Sequence, residues 1–156
     1  MTNSFIKTLE VEGKIKLVEP SEDIASSYAL KSQKSLLSAK TLIKIQNYDD
    51  ATALTYYSMY YSALALLYKC GIKSENHTGT IILIKELFGI DSAVLTQAKK
   101  DRVDKQYYVD FKATEKDVIQ GIAIAEEFNS IIKQKIDTIK NAQIIEYHTK
   151  AKKLLK

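Results

Sequence analysis

The sequence predicts an all-α fold: an antiparallel four-helix bundle with a short extra helix and a long C-terminal helix. Three observations carry this expectation. Residues 55–88, TYYSMYYSALALLYKCGIKSENHTGTIILIKELF, place apolar residues at helical spacing on both sides of a short polar turn. Before them, Ala25, Tyr28, Ala29, Ser32, Leu36, Ala39 and Ile43 form one stripe of an amphipathic helix. After them, Val118, Ile122, Ala125, Ile132, Ile136 and Ile139 form another, thickened by Ile124, Phe128 and Ile131.

Residues 1–20 show no helical period. Gly13 and the alternation Lys14-Ile15-Lys16-Leu17 predict an extended arm that leads to Pro20. Ser21 is the expected N-cap of the first helix, with Glu22 and Asp23 favourably placed in its first turn. Asn47-Tyr48-Asp49-Asp50 ends that helix and caps the second, and so short a link makes the two antiparallel. On the second helix Tyr56, Tyr60, Ala63 and Leu67 share a sector, and Tyr57, Tyr61, Leu64 and Tyr68 fill the next. Met59 and Leu66 extend the arc, leaving only the strip Ser58, Ser62, Ala65 and Lys69. Such a helix belongs in the middle of a bundle, and the small residues of its strip admit a close neighbour.

Gly71 supplies the left-handed position that ends this helix, and Gly89 ends the next, whose N-cap is Asn76 or Thr78. Asp91 or Ser92 caps a short fourth helix through Ala93, Leu95 and Ala98 to about Val103. DKQYYVDFKA reads as a turn or loop, and Thr114-Glu115-Lys116-Asp117 as a capping box with Asp for Glu. No Pro or Gly follows Gly121, so the last helix is expected to be very long. The expected organisation is an extended arm over 1–20, a helical bundle over 21–142 and a Lys-rich helical extension over 143–156.

A chain of 156 residues with 46% hydrophobic content can bury one core without disulfides or metal. A single Cys forms no internal disulfide, which fits a reducing, cytoplasmic setting. The longest apolar run, Ala63 to Tyr68, is far too short to span a bilayer, and no signal-peptide pattern opens the chain. The net charge of +4 is a C-terminal property: residues beyond 130 carry Lys133, Lys135, Lys140, Lys150, Lys152, Lys153 and Lys156 against Asp137 and Glu146. Arg102 is the one Arg among 23 basic residues. A Lys-rich stripe is either a solvated helix face or a contact for nucleic acid.

The stretch YYSMYYSALALLYKCGIKSENHTGTIILIKELF resembles the core of the HEPN family (higher eukaryotes and prokaryotes nucleotide-binding), in its small single-domain archaeal and bacterial form. The likeness lies in an aromatic-rich second helix, a Gly-Ile-Lys turn, a His opening the third helix and a closing Leu-Phe pair. It extends to KSQKSLLSAKTLIKIQNYDDA before and DRVDKQYYVDFKATEKDVIQGIAIAEEF after, so about residues 13–140 are covered. The resemblance implies a HEPN-type bundle that pairs as a homodimer. It also implies work beside a small nucleotidyltransferase in a toxin–antitoxin-type pair. Active HEPN ribonucleases resemble one another in an Arg followed four to six residues later by His. Here Arg102 is followed at those spacings by Gln106, Tyr107 and Tyr108, so no catalytic residue is assigned and no ribonuclease activity is expected.

The residues themselves offer two candidate groups. Lys73 and His77 flank a helix N-terminus, where free N–H groups favour an anion, though His77 is equally suited to cap its helix or bond a tyrosine. Arg102 with Asp104, Tyr107 and Tyr108 combines a cation with stacking faces, although a salt bridge from Arg102 to Asp104 would serve structure alone. Helices three and four, joined by a short turn at Gly89, should bring His77, Arg102 and Tyr107 or Tyr108 to one end of the bundle. The two His lie far apart in sequence and the Cys stands alone, so no metal spacing exists, and no cofactor is expected. Three functions fit: a non-catalytic or toxin-like partner of a nucleotidyltransferase, a stand-alone RNA- or nucleotide-binding module, or a structural helical dimer. The strip Ser58, Ser62, Ala65 and the long last helix are the surfaces expected to pair two copies.

Overall fold

The second long helix has apolar side chains on nearly every side, and the rest of the chain is arranged to cover it. The computed structural model describes residues 2–107 and 112–156, with residues 105–107 as backbone only. The elements run α1 (Thr2–Val11), β1 (Ile15–Leu17), α2 (Glu22–Lys44), α3 (Tyr48–Lys69), β2 (Ile72–Ser74), α4 (His77–Phe88), α5 (Ala93–Tyr107), α6 (Glu115–Thr138) and α7 (Asn141–Leu155). Helix α3 packs against α2 along its length and against α6, α5 and α4 on its other sides. Tyr56, Met59, Leu66 and Leu67 are almost wholly buried, and each such side chain contributes roughly 1.5–3 kcal/mol.

The caps fall where the sequence places them. Ser21 Oγ accepts from the Ile24 N–H at 3.1 Å, and Asn76 Oδ1 accepts from the Gly79 N–H at 2.8 Å. The Thr114–Asp117 box is closed in both directions, at 3.3 and 3.2 Å. The small strip of α3 has a different use from the one expected. Ser58, Ser62 and Ala65 are buried, and Ser32 Oγ of α2 donates to the Ser58 carbonyl at 2.6 Å. From α6, Asn129 Nδ2 donates to Ser58 Oγ at 3.4 Å. The strip lets α2 and α6 approach α3 closely, so it is no surface for a second copy. Outward-facing Ile119, Ile124 and Ile131 of α6 remain as apolar surface.

Four segments depart from the sequence reading. Residues 2–11 are a helix and not an extended arm, because Ile6 and Leu9, one turn apart, are buried against the core. The alternation at 15–17 does form a strand, but a paired one: β1 lies antiparallel to β2, with Ile15 opposite Ser74 and Leu17 opposite Ile72. The last helix is broken. Ile139 and Lys140 are extended, the Lys140 N–H donates to Gln143 Oε1 at 2.9 Å, and α7 folds back onto α1, α4 and β1. Two β-region residues with a side-chain acceptor three positions on are enough to stop a helix without Pro or Gly. Helix α5 also runs four residues past Val103, to Tyr107.

Gly71 joins these parts. Its φ is 77°, and a β-carbon there would stand 2.5 Å from the Val18 carbonyl oxygen and 2.6 Å from His148 Nδ1. Both neighbours are held in place: the Val18 N–H donates to the Gly71 carbonyl at 2.9 Å, and His148 Nδ1–H donates to the Cys70 carbonyl at 3.0 Å. Gly89 has a similar φ of 64° but open space around it. Gly71→Ala is therefore expected to cost about 2–4 kcal/mol in urea unfolding, against about 1 kcal/mol for Gly89→Ala. Equal losses at the two positions would show that the contact with Val18 and His148 is without weight.

Candidate functional site

The corner between β2 and α4 is tied by its own polar side chains. Thr80 Oγ1 donates to the Asn76 carbonyl at 3.0 Å and lies 2.7 Å from Ser74 Oγ. With Asn76 capping the helix, His77 becomes the first residue of α4 and its ring is laid against α3. The imidazole stacks on Tyr60, with centroids 4.0 Å apart and planes 11° apart, and meets the edge of Tyr57 at 6.3 Å. Its Nδ1 is 2.6 Å from Tyr56 Oη.

Helix α5 supplies the charge. Arg102 Nη1 donates to Tyr57 Oη at 3.3 Å, and its guanidinium carbon stands 5.4 Å from the rings of both Tyr56 and Tyr57. One turn earlier Lys99 Nζ donates to Thr78 Oγ1, at 2.9 Å. Two cations, an imidazole and three phenols are thus gathered where α4 and α5 meet the flank of α3.

Electrostatics fix the protonation of this group. Burial, and next the neighbouring Tyr60, raise the Tyr56 phenol well above the usual range, so it stays protonated. A neutral phenol beside a neutral imidazole either donates to Nδ1, with the ring hydrogen on Nε2, or accepts from Nδ1–H. Burial first, then the charges of Arg102 and Lys99, hold His77 below its ordinary value of 6.5. At neutral pH His77 is an uncharged ring with Nδ1 engaged by Tyr56.

The sequence candidates divide accordingly. His77 and Arg102 come together, as the short connection at Gly89 predicts, but beside Tyr56, Tyr57 and Tyr60 near the middle of α3 and not at an end of the bundle. Lys73 lies in β2, 3.0 Å from Glu75, and its charge acts on Tyr68, away from His77. Arg102 turns to Tyr57, and no ion pair joins it to Asp104 among the described residues. Tyr107 ends α5 with its side chain outside the described part, and Tyr108 lies outside it altogether. Tyr56, Tyr57 and Tyr60, core positions by their spacing, form the wall of the site, and no motif in the sequence marks Lys99. The i, i+4 pair Tyr56–Tyr60 is the signal that marks this wall.

Among the described residues no three His, Cys, Asp or Glu side chains are grouped to hold a metal ion. Nor is any described helix long and apolar enough to cross a membrane. The single thiol, Cys70, is pushed up to about 12 by burial and is unreactive at neutral pH.

Residues 25–136 match the model of the HEPN domain family. A protein of Methanocaldococcus jannaschii named "Putative toxin MJ0605" is 30% identical over 118 residues, which is 69% of this chain and 85% of that protein. The chain belongs to the HEPN domain family.

Because the folded state depresses the His77 pKa, the unfolded chain binds more protons below about pH 6.5. Stability held by the neutral ring is complete above that pH and drains as pH falls through the folded value. Melting temperatures between pH 7 and pH 5 should therefore fall less in His77→Gln than in the parent. Parallel profiles would exclude His77 as the responsible group. At pH 7 Tyr56→Phe should cost about 1–3 kcal/mol, since it strands Nδ1.

Proposed function

From its membership of the HEPN family, we propose that this chain is a toxin-like protein that binds RNA or a nucleotide at the His77–Arg102 site without cutting it. In this reading it works in a pair with a small nucleotidyltransferase. The observation that carries the binding reading is the bond between Tyr56 Oη and His77 Nδ1, at 2.6 Å, beside Arg102. A general base for attack by a ribose 2′-hydroxyl needs a free acceptor nitrogen. With the Tyr56 hydroxyl as donor to Nδ1, its proton occupies one nitrogen and the ring hydrogen the other. What the site offers instead is an Nε2–H donor, a guanidinium, the nearby Lys99 and phenol rings. Those groups suit a phosphate and a base. The toxin-like character follows the name of the Methanocaldococcus jannaschii relative. The nucleotidyltransferase partner follows the family resemblance alone.

Calorimetric titration with 5′-AMP and incubation with single-stranded and structured RNA test the first part. Binding is expected, Arg102→Ala should weaken it about 10-fold or more, and all RNA should remain intact. Cleavage that disappears in His77→Ala would overturn the reading and make His77 a base. The partner is tested by co-expression with the neighbouring reading frame: failure to co-purify with a nucleotidyltransferase would remove that half alone.

A further inference from the structure

The aromatic wall does not stop at the His77–Arg102 site. Tyr57 stacks on Tyr61, with centroids 5.8 Å apart; Tyr61 stacks on Tyr28 of α2 at 6.0 Å; Tyr28 stacks on Tyr68 at 5.3 Å. Tyr28, Tyr57 and Tyr61 are only half-buried, so the row runs along the surface seam between α2 and α3. Exposed Lys31 places its ammonium 5.2 Å from the Tyr61 ring centre and 5.7 Å from that of Tyr28. Among the described residues Lys31 makes no ion pair. The row therefore has Arg102 at one end and Lys31 toward the other, with half-exposed phenols between them.

A helix pair held only by packing has no need of this arrangement. Aliphatic residues would fill the seam as well, and a lone lysine would extend into water. Aromatic faces interleaved with cations are what a single-stranded polynucleotide binds without regard to sequence: stacking holds the bases and lysines meet the phosphates. Length sets the ligand's size. Both ring-to-ring steps of the half-exposed row exceed the about 3.4 Å rise per nucleotide of a stacked strand, so the row outruns a mononucleotide.

We infer that the Tyr57–Tyr61–Tyr28 row and Lys31 form a second subsite, continuous with the His77–Arg102 site, and that the ligand is a single-stranded oligonucleotide several residues long. This rests on the nucleotide-binding reading above and adds the class of ligand to it.

Fluorescence anisotropy with a labelled eight-nucleotide RNA, beside calorimetry with 5′-AMP, tests the inference on the full chain. The octamer should bind at least 10-fold more tightly than 5′-AMP. Lys31→Glu should weaken the octamer about 10-fold, lower the slope of log Kd against log salt by about 0.7, and leave 5′-AMP binding unchanged. Tyr61→Leu, which removes the ring but keeps the bulk, should weaken only the octamer, with melting temperatures checked for both variants. Equal octamer affinity in parent and Lys31→Glu overturns the second subsite while the first stands. An Arg102→Ala variant that binds both ligands as the parent does overturns the first site instead. A parent that binds neither ligand removes both.

Discussion

Helix α3 has almost no side left for water, and the rest of the structure answers that constraint. A helix buried all round must be met by neighbours on every face. Here α2 and α6 take the small-residue strip, α5 takes the flank, and α4 with the two-stranded sheet closes the C-terminal end. The small residues decide how near those neighbours come. The Ser32–Ser58 bond at 2.6 Å exists only because neither position carries a bulkier side chain. Gly71 then lets the chain leave α3 sharply enough for β2 to pair with β1. That pairing draws α1 and α7 onto the same end.

Burying tyrosines has an electrical consequence that burying leucines does not. Each phenol enclosed against α3 must keep its proton, and each needs a partner for its hydroxyl. Tyr56 meets this need with His77, and half-buried Tyr57 accepts from Arg102. The site is in this sense a by-product of the core: the groups that satisfy buried phenols are those left half-exposed at the surface. The same bonds limit the chemistry. An imidazole bonded to one phenol and stacked on another is held in its rotamer.

Most of the helical frame was legible because it depends on local signals. Ser21, Asn76 and Thr114 cap where their side chains predict, and the apolar stripes of α2 and α6 face inward as their spacing requires, except that Ile124 and Ile131, expected to thicken the α6 stripe, lie exposed beside it. The misreadings have a common physical source. Two apolar residues, Ile6 and Leu9, are too few to raise a period in a short segment, yet tertiary burial is enough to hold one. The break after Thr138 depends on one hydrogen bond to Gln143, a residue that looks helical in any pattern. The strip Ser58–Ala65 reads the same whether its close neighbour is another helix of this chain or of a second copy; only the fold distinguishes them. The pairing of His77 with Arg102 was legible from connection length. That the tyrosines between them are wall rather than filler was not, since periodicity records burial and says nothing of what a hydroxyl touches.

Helix α3 presents two kinds of surface along one length, and their placement relates the core to the site. On the strip under α2 and α6 its residues are small, and the neighbours come close through backbone and hydroxyl bonds. On the sector toward α4 and α5 its residues are large and aromatic, and the neighbours are held at ring distance, 4.0 Å at His77 and 5.4 Å at Arg102. Ring distance means that the cation and the imidazole rest on the wall without sinking into it. Both remain half-exposed. Had this sector been aliphatic, burial would have cost Arg102 its solvent with nothing in return, and α5 would have turned it away. Phenol rings stabilise a guanidinium at a partly buried position, and the helix that covers the core can therefore also carry a charge into the site.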